Sequence, residues 1–281
     1  MARLTKEQAK HHEAACSLLE KETLTLDEKY FVLENWREDA HHMNSVAGAF
    51  FTPVGLARDL SIEVSGPRVI DLCAGIGSLA FAVWNRFDCD RNSRPTITCV
   101  ELNPDYVAVG KKILPEAVWL QADVFDLPKD IGHFDCVISN PPFGATRASG
   151  KAPRFTGNIF EYRVIDIASD FADYGVFLIP QASAPFEYSG KQVYRWTAHD
   201  RYREFHRQTL IELGPNCGLD TSVHRSDWSS APPAIEIVTA DLERARQARS
   251  AATNGSLAQY PSGTATETEP SKLSADQLDL F

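Results

Sequence analysis

Arg68-Val69-Ile70-Asp71-Leu72 runs directly into Cys73-Ala74-Gly75-Ile76-Gly77-Ser78, and a helix-like stretch follows as far as Arg86. An apolar run closed by an acid and followed by a two-glycine turn reads as a strand, a ligand loop and a helix. Glycine lets the backbone turn sharply and lets a ligand approach it closely. A dinucleotide fingerprint would place a third glycine where Ala80 stands. A carboxylate beside the turn repels a pyrophosphate and suits a cationic or amine-bearing ligand.

Working outward from this turn, further apolar or β-branched runs cover Thr96–Glu101, Ala117–Gln121, Phe134–Ser139, Gly175–Ile179 and Ala234–Thr239, with Leu210–Leu213 a weaker candidate. Helix-like segments, Pro104–Ile113 and Phe160–Tyr174, lie between them. Strands apolar on both faces that alternate with helices predict a parallel sheet covered on both sides. In such sheets ligands sit at the carboxyl ends of the strands, where the strand order switches.

Those ends carry acids. Glu101 closes the second strand, where a carboxylate can accept hydrogen bonds from both hydroxyls of a ribose. Asp123-Val124 follows the third strand, and an Asp there can receive the exocyclic amine of an adenine. The fourth strand ends in Ser139-Asn140-Pro141-Pro142-Phe143-Gly144. Two prolines remove two backbone donors and stiffen the loop. The Asn140 amide oxygen and the Pro141 carbonyl can then accept hydrogen bonds from one planar NH2 group, and Phe143 offers a face for the ring that bears it.

With 281 residues, 43% hydrophobic and 23% charged, the chain can bury a sizeable core, which excludes a wholly disordered or fibrous protein. No stretch approaches the ~18 apolar residues of a membrane helix, and the first ten residues lack an apolar signal core, so a cytoplasmic location is expected. The six cysteines are widely spaced, without a zinc or redox pair. The histidine pairs at 11–12 and 41–42 lack a convincing partner set, so no metal is expected. Three regions separate by composition: a helical segment over 1–45, the alternating region over 46–244, and a tail over 245–281 too poor in apolar residues to order.

From Ala47 to Leu242 the set of motifs resembles the class I S-adenosylmethionine-dependent methyltransferases, and within them the amino-methyltransferases with an Asn-Pro-Pro-aromatic motif. The resemblance implies an α/β, Rossmann-like fold with a mostly parallel seven-stranded sheet and helices on both faces. It also implies S-adenosylmethionine as cofactor, with Asp71, Ala74, Gly75 and Gly77 lining its methionine part, Glu101 on the ribose, and Asp123 and Val124 on the adenine. Asn140, Pro141 and Phe143 would grip the target amine and its ring. Phe51-Thr52-Pro53, before the first strand, is similar to the element that packs on the methionine end in DNA adenine-N6 methyltransferases. A bacterial or phage enzyme of that kind is the expected function. An RNA or protein-glutamine methyltransferase and an inactive cofactor-binding regulator stay open as alternatives.

A DNA substrate must meet a formal charge of −10, which argues weakly against it, although a local basic face can coexist with an acidic total. Arg147, Lys151 and Arg154 follow the Asn-Pro-Pro loop, and Lys191, Arg195, Arg201 and Arg203 interleave with Tyr188, Tyr194, Trp196, Tyr202 and Phe205. Basic groups contact phosphates and aromatic faces stack bases. The target base would be flipped out or already single-stranded. No large target-recognition domain accompanies the fold, only residues 1–45 and 181–233 being left for that role. The last five residues, Gln277-Leu278-Asp279-Leu280-Phe281, match the pentapeptide by which bacterial polymerases and repair proteins bind the sliding clamp, with the preceding stretch as tether.

Overall fold

The computed structural model describes residues 5–37, 51–86, 94–145, 150–228 and 234–253. Helices α1 (Lys6–Leu19) and α2 (Leu26–Asn35) each open on a reciprocal cap. Thr5 takes the Gln8 amide while the Gln8 side chain takes that of Thr5, and Thr25 and Glu28 do the same. Helix α3 (Val54–Ser61) follows Phe51-Thr52-Pro53.

The main sheet comprises β1 (Arg68–Leu72), β2 (Thr96–Glu101), β3 (Val118–Gln121), β4 (Phe134–Ser139), β5 (Ala172–Pro180), β8 (Leu213–Pro215) and β9 (Ile235–Asp241). Their order is β3-β2-β1-β4-β5-β9-β8, seven strands in all. The first five are parallel, while β9 runs antiparallel to both β5 and β8. The order reverses between β1 and β4, so the Gly75–Gly77 turn and the Asn140 corner open at the same switch point. A short hairpin, β6 (Phe186–Glu187) with β7 (Arg195–Trp196), follows the carboxyl end of β5.

Alternate residues of the strands enter two cores. Val69, Ile138 and Leu178 join α1, α2, α3 and α4 (Ser78–Asn85) on one face. Ile70, Val137 and Phe177 join α6 (Phe160–Ala168) and α7 (Asp200–Thr209) on the other. Helix α5 (Pro104–Ile113) contributes Tyr106 and Ile113 to the first core. The N-terminal helices therefore pack on the same core as the sheet, through Ala15, Val32, Leu33 and Trp36. No helix among the described residues is long and apolar enough to cross a membrane.

Three elements depart from the sequence reading. The helix expected over Phe160–Tyr174 stops at Ala168, because Ala172 already pairs with Phe134 at the start of β5. Leu210 is not a strand residue: it takes φ 57° and ends α7, and β8 begins three residues later. Residues 245–253 do not belong to an unordered tail but extend α8 (Leu242–Thr253). Leu242 and Ala245 are buried, and the guanidiniums of Arg246 and Arg249 donate to the carbonyls of Ser169 and Thr209, at 3.0 and 2.8 Å. Apolar content alone understates such a helix, since long arginine stems also cover apolar surface.

Arg154 and Asp166 fix the segment that leads into α6. The fully buried Asp166 carboxylate accepts the backbone amides of Arg154 and Phe155 at 2.6 and 2.8 Å and the Arg154 guanidinium at 2.8 Å. Asp166→Ala strands the two backbone amides, while the Arg154 guanidinium keeps Asp170 and Ser169, and the expected loss is about 1–3 kcal/mol for each donor left unsatisfied. Urea unfolding checks it, as a lower midpoint with an unchanged slope.

Candidate active site

Cys73 and the two glycines set the first loop. Cys73, Gly75 and Gly77 all take positive φ (59°, 56° and 89°), so three residues in the left-handed region reverse the chain between β1 and α4. At Gly75 a side chain would also meet the Phe51 ring, 3.2 Å from the position of its Cβ. Phe51 is thereby placed over the loop, edge-on to Tyr106 and tilted against Trp36.

Asp71 lies beneath this loop and is fully buried. Its Oδ2 accepts the Ala80 amide at 3.1 Å, and its Oδ1 has no hydrogen-bond partner among the described residues. Burial pushes its carboxyl well above the usual range, the Ala80 amide opposes this, and the Glu101 charge adds to it. Glu101 stands nearer the surface. Its two oxygens accept the amides of Gly75 and Asn103, both at 2.8 Å, which ties the glycine loop to the turn before α5. Burial raises its carboxyl too, against those amides. Asp123 accepts the Phe125 amide at 2.9 Å, and Val124 is buried in the second core.

The Asn140 corner closes on the Phe-Thr-Pro segment. Asn140 Nδ2 donates to the hydroxyl of the buried Thr52 at 2.9 Å. In this orientation the amide nitrogen faces Thr52 and the amide oxygen is the group able to accept. Pro141 is buried, Phe143 is half-buried against the first core, and Ser139 is tied by its hydroxyl to the Leu72 carbonyl of β1. Thus Phe51, Thr52, Gly75, Glu101 and Asn140 are brought into one hydrogen-bonded or packed cluster at the switch point, with Asp71 beneath it.

The basic residues divide. Arg154 is corrected as a substrate contact, because Asp166 and Asp170 already hold its guanidinium. Arg147 lies outside the described residues, as do Gln277–Phe281. Lys151, Arg195 and Arg201 are exposed; Lys191 and Arg203 pair loosely with Glu187 and Asp200, at 3.5 and 3.6 Å. Exposed pairs of this kind are weak. Tyr202 and Phe205 are core residues, with Phe205 stacked on Tyr162 at 4.5 Å, whereas Val193, Tyr194 and Trp196 remain exposed on the hairpin.

Besides Asp166, two buried acids near the site escaped the sequence reading. Glu161 accepts the Gly144 amide at 2.9 Å and the Ser183 hydroxyl at 2.6 Å. Glu236 accepts the Gln181 side chain at 2.7 Å, the Tyr188 and Ser189 amides at 2.8 and 2.9 Å, and the Ser189 hydroxyl at 2.7 Å. A single acid inside the apolar run Ile235–Val238 was the available signal for Glu236. Glu161 gave none, since an acid in the first turn of a helix is ordinary.

Comparison with known proteins agrees with this geometry. Residues 56–162 match the family model of the methyltransferase small domain. No curated protein sequence matches the chain. Among solved structures, one described as a class I S-adenosylmethionine-dependent methyltransferase of Listeria monocytogenes superposes with TM-score 0.50 at 13% identity, over 85% of this chain and 81% of that one. The methyltransferase subunit of a type I restriction-modification system from Streptococcus thermophilus gives 0.50 at 15%, over 76% and 49%. A structure described as a type I restriction enzyme's modification subunit from Vibrio vulnificus gives 0.52 at 11%, over 79% and 51%. The chain spans about half the length of these two subunits. The fold is that of the class I methyltransferases, and the match to the methyltransferase small domain covers the part of it from α3 to the start of α6, residues 56–162.

The buried Asp71 carboxyl sets a pH dependence. Its folded pKa lies above the unfolded one, so it weakens the fold as pH rises from the ordinary carboxylate range to the raised value. Asp71→Asn keeps an acceptor for Ala80 and removes the charge. Its melting temperature should exceed that of the wild-type protein at pH 8, and the difference should close toward pH 4; thermal unfolding across a pH series checks this.

Proposed function

We propose that this protein methylates the N6 amine of adenine in DNA. The observation that carries the reading is the Asn140–Thr52 hydrogen bond. It joins the Asn-Pro-Pro-Phe corner to the Phe-Thr-Pro segment directly beside the glycine loop.

S-adenosylmethionine, when bound, supplies an electrophilic methyl group on a sulfonium. Phe51, Gly75, Gly77 and Glu101 form the cradle for it, with Asp123 and Val124 at the adenine end. The cradle suits such a group: the glycine loop is held open by positive φ angles, and Glu101 presents a carboxylate between two fixed amides. The protein's own part in transfer is positional and electrostatic. An exocyclic adenine amine is a poor nucleophile because its lone pair is delocalised into the ring. The Asn140 oxygen and the Pro141 carbonyl would accept hydrogen bonds from its two N–H groups, favour a pyramidal nitrogen and relieve the positive charge that develops as the N–C bond forms and the S–C bond breaks, one proton then passing from the nitrogen to solvent. Phe143 stacks the extruded base, worth ~1–3 kcal/mol against the cost of flipping.

The hairpin and the first turn of α7 carry the DNA contacts. Arg195 and Arg201 meet phosphates while Tyr194 and Trp196 present exposed rings, all beyond the carboxyl end of β5 and beside the strand that bears Asn140. Glu236 fixes the base of this hairpin through two amides and two side chains. Association through Gln277–Phe281 with a sliding clamp would raise the local concentration of DNA around an acidic enzyme.

Asn140→Ala should retain cofactor affinity by calorimetry and lose turnover by about 100- to 1,000-fold, the range for removing one preorganised electrostatic partner. Mass spectrometry of nucleosides from expressing cells identifies the product. N6-methyladenine in DNA is expected; methylation confined to RNA or protein would refute the substrate. Deleting Gln277–Phe281 should abolish co-migration with purified clamp at an unchanged intrinsic rate, and clamp binding by the truncated chain would refute the tether.

A further inference from the structure

Gly144, the residue after the Asn-Pro-Pro-Phe corner, is held at both of its polar groups by the first turn of α6. Its amide donates to Glu161 Oε2 at 2.9 Å, and its carbonyl accepts the Phe160 amide at 2.9 Å. The other Glu161 oxygen accepts the Ser183 hydroxyl at 2.6 Å, in the 3-10 turn Gln181–Ser183 that leads from β5 to the hairpin. That turn is held again by Tyr162, whose hydroxyl donates to the Ser183 carbonyl at 2.6 Å while its ring stacks on Phe205. Glu161 is 1% exposed and Ser183 3%. A carboxylate is costly to bury unless its oxygens are satisfied, and here one oxygen is given to each of two loops that meet at the carboxyl edge of the sheet.

We infer that Glu161 is a positioning residue for methyl transfer: it sets the distance between the loop that grips the target amine and the turn that carries the nucleic-acid-facing hairpin. The inference rests on the methyltransferase reading above. Gly144 takes φ 78°, so its conformation tolerates wide excursions once the amide is released. A displacement of ~1 Å in a gripping loop is enough to cost about 100-fold in rate. Glu161 touches none of the residues assigned to the cofactor, so its removal separates turnover from cofactor binding.

Methyl transfer to duplex DNA is measured with the full chain, together with cofactor binding by calorimetry and amide hydrogen exchange over residues 140–145. Glu161→Ala should keep cofactor affinity within about twofold and lose about 10- to 100-fold in kcat, the range for a hydrogen bond to a charged group. Exchange over 140–145 should accelerate. Glu161→Gln should restore most of the rate, since its carbonyl can accept from Gly144 and its NH2 can donate to a reversed Ser183 hydroxyl. Ser183→Ala, which leaves the carboxylate and the fold in place, should lose about 2- to 10-fold in kcat and serves if Glu161→Ala does not fold. Unchanged kcat in Glu161→Ala or, failing that variant, in Ser183→Ala overturns the inference alone. So does a loss of cofactor affinity parallel to the loss of rate. A wild-type chain that transfers no methyl group to DNA overturns the methyltransferase-on-DNA reading and this inference with it.

Discussion

Buried carboxylates that accept loop amides organise the working edge of this protein. Asp71 takes an amide of α4, Glu101 those of Gly75 and Asn103, Glu161 that of Gly144, and Glu236 those of Tyr188 and Ser189. Asp71 anchors the first turn of a helix, and the other three each pin a segment that carries no regular structure of its own. A backbone amide donates only along its own axis, so a loop held this way keeps one conformation. The sheet supplies depth and order, and the acids turn that order into loop geometry.

This arrangement is electrostatically tense. Asp71 and Glu101 are both desolvated, and each raises the cost of charge on the other or on their neighbours. Cys73 and Cys99, among the same groups, have thiols pushed well above their ordinary range, first by burial and then by these acids. Groups that resist ionisation in this way make the site a poor host for further negative charge, and a cation placed beside them would favour their ionised forms. The carboxyls beneath the glycine loop and the exposed cations of the hairpin beyond β5, Lys191 and Arg195, thus set two regions of opposite character along one edge of the sheet.

Much of this was readable in the sequence because it lies in runs. The parallel strands declare themselves as apolar runs, and the ligand edge follows from topology alone. Asn140, Glu101 and Gly75 stand where strand ends place them. What could not be read were partnerships across long separations: Asn140 with Thr52, Glu161 with Ser183, Glu236 with Ser189. Arg154 illustrates the converse. In the sequence it is one of several cations after the Asn-Pro-Pro loop, and only the approach of Asp166, twelve residues on, takes it into the interior. Tyr202 and Phe205 look like stacking platforms beside arginines, yet the helical period turns both toward the core and leaves Arg201 and Arg203 in water. Helix α8 was missed because its hold on the domain comes from arginine tips on carbonyls.

The reversed direction of β9 has a mechanical outcome. Six residues after pairing with Pro180, the strand reaches Tyr174 and delivers the polypeptide to the margin where β5 begins. There Arg246 and Arg249 bolt α8 to the ends of α6 and α7. Force carried along this helix therefore enters the sheet at the amino end of β5, the margin opposite the one where Asn140 and the glycine loop stand.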